Sequence, residues 1–225
     1  MGTLRWMVGW VVIVAGCAAP DYTRHAVRVH SGRGGWGGGV VIGHARDATL
    51  VLTAGHVLVG GPPFRIDAFD PDELGMVALL VAVTLPPGPD LALLRVRFRV
   101  PRQAVPIADP RAGDACVTAG CPGGLRPYPI HGHIVGPRPG EMSATEWAMA
   151  TPATWGSAGG PVLDSAGRLV GITSRGAVWA VDRGGGGDGD GPQRLQHLQR
   201  LPVPYVTSFV PMPVIRTWLR EVGVQ

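Results

Sequence analysis

Gly156-Ser157-Ala158-Gly159-Gly160-Pro161-Val162 is the stretch on which the reading of the fold turns. Its glycines open backbone angles that other residues avoid, so it reads as a tight loop. Pro161-Val162-Leu163 then begins an apolar run, and a second run follows at Leu169–Ser174. Between them, Asp164-Ser165-Ala166-Gly167 is turn chemistry, so the two runs read as a hairpin. The same style recurs upstream. Val40–Gly43 and Leu50–Ala54 read as a hairpin, Met76–Val83 as a strand, and Asp90–Val96 as another after the Pro-rich turn Pro86–Pro89. Ala115–Gly120, His131–Val135 and Ala148–Thr151 continue the series. Residues 31–39, dominated by glycine, read as a turn-rich loop. Pro213–Val222 places Val214, Trp218 and Leu219 at helical spacing, with Ile215 and Val222 adjoining, and predicts a short C-terminal helix. About twelve short strands and one terminal helix predict an all-β fold of two packed antiparallel barrels.

The gross features agree. Gly (35) and Pro (22) make up about a quarter of 225 residues, but they punctuate Val/Leu/Ile runs instead of forming a low-complexity chain. The net charge of +4 comes without any Lys/Arg run, which argues against nucleic acid as a partner. Arg5 followed by the apolar Trp6–Ala15 reads as a targeting segment too short to span a bilayer as a mature helix. Cys116 and Cys121 lie five residues apart. On an extended chain that is roughly 16 Å, against the ~7 Å limit for a bridge, so they read as two small buried hydrophobes unless a tight turn intervenes. No residues have metal-ligand spacing, and no cofactor is expected.

Two further stretches complete a pattern: Thr53-Ala54-Gly55-His56 and Asp90-Leu91-Ala92-Leu93-Leu94. Together with the glycine loop they resemble the trypsin/chymotrypsin-like serine peptidases of bacterial type. The family's patterns are Thr/Ser-Ala-x-His, Asp-[Ile/Leu]-Ala-Leu and Gly-x-Ser-Gly-Gly-Pro. Gly120-Cys121-Pro122 is also similar to a Gly-[Tyr/Phe]-Pro turn of bacterial members. The resemblance spans residues 30–222. It implies two six-stranded Greek-key barrels with His56, Asp90 and position 158 meeting between them. His56 would be the general base and Asp90 the carboxylate that orients it. The backbone N–H groups of Gly156 and Ala158 would form the oxyanion hole. The substrate pocket would have its base near Pro152 and its wall at Ser174, Arg175 and Gly176. With no acid at the base, a preference for Arg or Lys is not indicated.

The departure is at Ala158, where the family pattern has its nucleophilic serine. A methyl group cannot attack a carbonyl. The expected function is therefore a non-cleaving peptidase-like protein that binds an extended peptide or a partner protein. The alternatives are an active serine endopeptidase, with Ser157 as a displaced nucleophile or Ala158 as a substitution, and a structural envelope protein with no cleft in use. Val14-Ala15-Gly16-Cys17 resembles a bacterial lipobox. It implies a signal peptide over 1–16, a lipid anchor on Cys17, a linker over 17–30 ending in a strand at His25–His30, and a peptidase-like domain over 31–225. Ala18 after the cysteine, in place of Asp, favours an outer membrane where there are two. The other reading is an ordinary signal peptide cut near Cys17-Ala18-Ala19. Both export the chain to the cell envelope or beyond.

Overall fold

A computed structural model describes residues 20–45, 47–69, 75–97, 99–100, 102–138, 145–152, 154–182 and 198–224, with backbone alone for 45, 177–182 and 198–204. The expected signal peptide, Cys17 and the glycine-rich run at 183–191 lie outside these residues. No helix among those described is long and apolar enough to cross a membrane.

The first barrel is built from β1 (Ala26–His30), β2 (Trp36–Ala45), β3 (Ala48–Thr53), β4 (Phe64–Asp67), β5 (Met76–Thr84) and β6 (Leu91–Val96). Its order is β1-β2-β3-β6-β5-β4, closed by β1 against β4. The second comprises β7 (Ala115–Thr118), β8 (Ile130–Pro137), β9 (Trp147–Ala150), β10 (Pro161–Asp164), β11 (Leu169–Asp182) and β12 (Leu198–Pro211). Read from β7, its order is β7-β8-β9-β12-β11-β10, the same Greek-key path. Closure leaves neither sheet with a continuous open edge. Helix α1 (Met212–Glu221) follows β12 directly, with Pro213 in its first turn, where an N–H would have no intrahelical partner anyway.

Three apolar clusters hold this together. One fills the first barrel around Val27, Val51, Ile66 and Leu94, and another fills the second around Ile134, Met149 and Phe209. The third belongs to neither barrel. Val40, Leu52, Leu91 and Leu93 of the first meet Leu163, Leu169, Ile172 and Val210 of the second, and α1 closes the seam with Met212, Ile215 and Trp218. Strand β6 shows how the sequence encodes this. Ala92 and Leu94 point into the barrel while Leu91 and Leu93 point into the seam. A strand buried on both faces needs an unbroken apolar run, not alternation. Trp218 Nε1 also donates to Thr84 Oγ1 at 2.8 Å, tying the helix to the first barrel.

The sequence reading needs three amendments. Trp36–Gly39, read as loop, is the start of β2, paired along β1 from Trp36↔His30 to Gly39↔Val27. Strands β4 and β12 were not read at all. The segment 17–30 ends, from Ala26, in a strand that is integral to the first barrel.

Candidate active site

His56 sits in a 3₁₀ turn, Gly55–Leu58, immediately after β3. A Cβ on Gly55 would lie 2.5 Å from Thr84 O, so only glycine lets the turn lie this close to β5. Asp90 stands at the mouth of β6, 3% exposed. Its carboxylate grips the histidine twice. Oδ1 accepts the His56 backbone N–H at 2.9 Å, and Oδ2 lies 2.6 Å from His56 Nδ1. A carboxylate at Nδ1 fixes that nitrogen as the donor and leaves Nε2 as the acceptor. Burial pushes the Asp90 carboxyl up. The hydrogen bond and charge of His56 and the hydroxyl of Ser174 outweigh this and hold it below the usual carboxylate range.

The sequence reading did not foresee the group behind Asp90. Ser174 Oγ lies 3.0 Å from Asp90 Oδ2 and also 3.0 Å from Glu146 Oε1. Glu146 is 3% exposed and lies 3.1 Å from Arg175 Nη2 and 3.7 Å from Arg138 Nη1. Ser174 was expected in the pocket wall, and it does line the cleft. Its side chain supports the carboxylate.

The glycine loop lies between the barrels. Gly156 has φ +92° and Gly159 φ +81°, both in the left-handed region that favours glycine. A side chain on Gly156 would fall on Cys121 O, and one on Gly159 on Thr53 Oγ1 and Gly38 O. Thus the Thr53 of the histidine motif packs against the second glycine of the loop. Internal bonds pin alternate amides: Ser157 N to Thr154 O at 3.0 Å, and Gly159 N to Thr173 O at 2.7 Å. The amides of Gly156 and Ala158 have no acceptor among the described residues. Two open N–H groups one residue apart in a rigid loop can hold a carbonyl oxygen that gains negative charge. The carbonyl of Ala158 is taken by Gly38 N at 2.7 Å.

His56, Gly156, Ala158, Ser174, Arg175 and Gly176 all line one cleft of about 680 Å³. Pro152 does not line it. That residue is exposed, and Thr154 and Trp155 occupy this side of the cleft. A hydroxyl and a thiol lie near the loop, and neither is placed to act as a nucleophile. Ser157 is 2% exposed, and its Oγ has Thr154 N and Oγ1 as partners, both at 3.4 Å. Cys121 is buried with Sγ directed at Val27 O, and burial pushes its thiol up to about 12. Cys116 is also buried and unbridged, pushed up by burial to about 11. No group of three or more His, Cys, Asp or Glu among the described residues could hold a metal ion.

Asp67 is a further buried carboxylate that adds to the acid sensitivity of the fold. Asp67, at the end of β4, pairs with Arg28 Nη2 at 2.7 Å and His30 Nε2 at 2.8 Å, and accepts from Gly75 N. Burial raises its carboxyl, and these partners bring it below the usual range. Both Asp67 and Asp90 therefore bind protons less readily folded than unfolded. Their stabilisation is present above the unfolded value of about 3.9 and is lost as pH falls through the folded values. Melting temperature is expected to decline gently below about pH 6.5, where burial keeps His25 neutral while the unfolded chain takes up a proton, and to fall steeply below about pH 4. Thermal melts across that range test it. Asp67→Asn should lower stability at neutral pH and flatten the acid limb, and an unaltered limb would discount Asp67.

The comparisons with known proteins bear on the fold and the family. A search of curated proteins finds no match. Among solved structures, the Rv3671c protease of M. tuberculosis in its inactive form superposes with a TM-score of 0.64 at 21% identity, covering 90% of this chain and 91% of that one. Its active form gives 0.65 at 20% identity, covering 91% and 83%. The serine endoprotease from Yersinia pestis gives 0.65 at 18% identity, covering 89% of this chain and 63% of that one. At such identities the likeness establishes the fold. The family model for the trypsin-like peptidase domain matches residues 37–172, more than half of the sequence, and the chain belongs to that family.

Proposed function

We propose that this chain is a peptide- or protein-binding member of the trypsin-like family that does not cleave, held at the cell envelope by a lipid on Cys17. The observation that carries the reading is Ala158. It lines the cleft with His56, in a loop with open amides, and it has no atom able to attack a carbonyl. Acyl transfer needs a nucleophile, a base, an orienting group and oxyanion donors. His56, Asp90 and the amides of Gly156 and Ala158 supply the last three. Ground-state binding of an extended peptide uses the cleft and its edge but not the missing hydroxyl.

That edge is available. Strand β10 pairs with β11 only as far as Pro161↔Ile172. Beyond it, Arg175 and Gly176 pair with Ser208 and Thr207 of β12 on one side, and no strand among the described residues lies on the other. An extended peptide can add there as a strand, its main chain hydrogen-bonded to this edge. The expected result is that casein stays intact over hours with the natural chain, while unstructured peptides bind saturably. New fragments in the casein digest would overturn the reading.

The anchor has its own test. The mature N-terminus is expected to be a lipidated Cys17, seen by mass spectrometry of the protein from its native membrane. An unmodified start at Ala18 or beyond would remove the anchor without touching the cleft.

A further inference from the structure

Among the described residues that line the cleft, Arg175 is the one permanently charged side chain, and no carboxylate is among them. It lies on the unpaired edge of β11, where an added peptide would run. Its guanidinium is held from behind. Nη2 bonds to Glu146 Oε2 at 3.1 Å, and Glu146 is buried outside the cleft lining. Arg138 lies on the same carboxylate oxygen and is fixed in turn by Ser208 Oγ at 2.7 Å. Two guanidinium groups thus share one carboxylate, and the trio carries a net positive charge. Of the five N–H donors of a guanidinium, one is engaged in a hydrogen bond among the described residues. The rest are oriented by a buried partner and half-shielded from water. This is a preorganised receptor for a carboxylate, which a guanidinium binds through paired hydrogen bonds.

From this geometry we infer that the cleft selects peptides carrying an Asp or Glu side chain, read by Arg175 with Glu146 as its positioning residue. The inference rests on the peptide-binding reading above and adds a substrate class to it. It also has a consequence for His56. The Ser174 hydroxyl has one proton, and two carboxylates lie 3.0 Å from it, those of Asp90 and Glu146. A peptide carboxylate on Arg175 competes with Glu146 for the guanidinium. Glu146 then draws harder on the Ser174 proton, and Asp90 keeps less of it. The bond between Asp90 and His56 Nδ1 must readjust.

The test uses fluorescein-labelled octapeptides of Ala, Ser and Leu with one Glu walked along the sequence, against a matched Gln series. Both are titrated by anisotropy into the full chain. One Glu position is expected to bind about 10-fold or more tighter than its Gln counterpart. Arg175→Gln should erase that difference, with an unchanged circular-dichroism spectrum showing that it is folded. Arg175→Lys should retain part of it. Saturation with the preferred Glu peptide should also move the low-field ring N–H resonance of His56, and the Gln peptide should not. Equal binding of both series would overturn the role of Arg175 and leave peptide binding standing. Binding of neither would overturn both.

Discussion

Replacing Ala158 with serine is expected to convert this chain into a protein that reacts covalently with fluorophosphonate probes and cleaves peptide bonds. The substitution adds one oxygen in the cleft that His56, Gly156 and Ala158 line, with Asp90 bonded to His56 from behind. His56 is fixed by two hydrogen bonds to Asp90, at 2.9 and 2.6 Å. The Gly156 and Ala158 amides remain open among the described residues. When such a serine is removed from a working triad, turnover falls by about 10⁶, so restoring it should raise turnover by a similar factor. That corresponds to about 8 kcal/mol of transition-state stabilisation. The natural chain should show no labelling, and Ser157→Ala should leave that unchanged, because the Ser157 hydroxyl is buried against Thr154. Labelling of the natural chain that disappears in Ser157→Ala would identify Ser157 as the nucleophile and overturn the non-cleaving reading. A folded Ala158→Ser variant that neither labels nor cleaves would show that the loop is not set for catalysis.

Gly120→Ala is expected to be strongly destabilising. Gly120 lies where the turn after β7 touches the glycine loop. An added Cβ would sit 2.6 Å from Ser157 Cα, 2.9 Å from its O and 3.1 Å from its C. All three are backbone atoms, so no rotamer change can relieve the clash. The loop as a whole must move. Behind it, a Cβ on Gly160 would meet Gly120 Cα at 2.7 Å, and one on Gly38 would meet Gly160 Cα at 2.6 Å. The three glycines stack main chain on main chain across the two barrels, so displacement has nowhere to go. Overpacking of this kind costs about 3 kcal/mol, or roughly 6–12 °C in melting temperature for a chain of this size. Gly43→Ala is the control. Gly43 lies in β2, nothing lies within 4 Å of its added methyl, and stability should change little. In the Ala158→Ser background, Gly120→Ala should also reduce labelling by about 10²-fold, because a loop displaced by about an ångström misplaces the attacking atom. Equal melting temperatures for Gly120→Ala and Gly43→Ala would refute the rigid seam.

The motif residues were legible because their chemistry constrains neighbours along the chain. His56 needs Gly55 for a close approach, Asp90 needs a buried strand behind it, and the loop needs glycine where φ is positive. Glu146 was not legible. It is a lone acid before β9, and what gives it meaning, Ser174 and two arginines, arrives from distant strands. The Ser174 hydroxyl was missed for the same reason. Strand β4 is four residues long and follows Pro62-Pro63, which reads as a turn. Strand β12 contains Pro202 and Pro204, residues that argue against a strand in a ladder. Trp36–Gly39 looked like a loop because glycine is its commonest residue. The structure gives another reason for those glycines: side chains on Gly37 and Gly38 would strike Ala158 O and Gly160. Composition alone cannot distinguish a glycine that bends the chain from one that lets another chain segment come near.

The two buried thiols carry a consequence for where this fold can be made. Cys116 and Cys121 are unbridged, and burial keeps both protonated at physiological pH. Thiol–disulfide exchange proceeds through the thiolate, so neither is a ready partner for glutathione or for an oxidase of the envelope. Among the described residues the barrels are held by the apolar seam and α1, not by a disulfide. Forming the two barrels therefore requires neither an oxidant nor a disulfide isomerase to join Cys116 or Cys121.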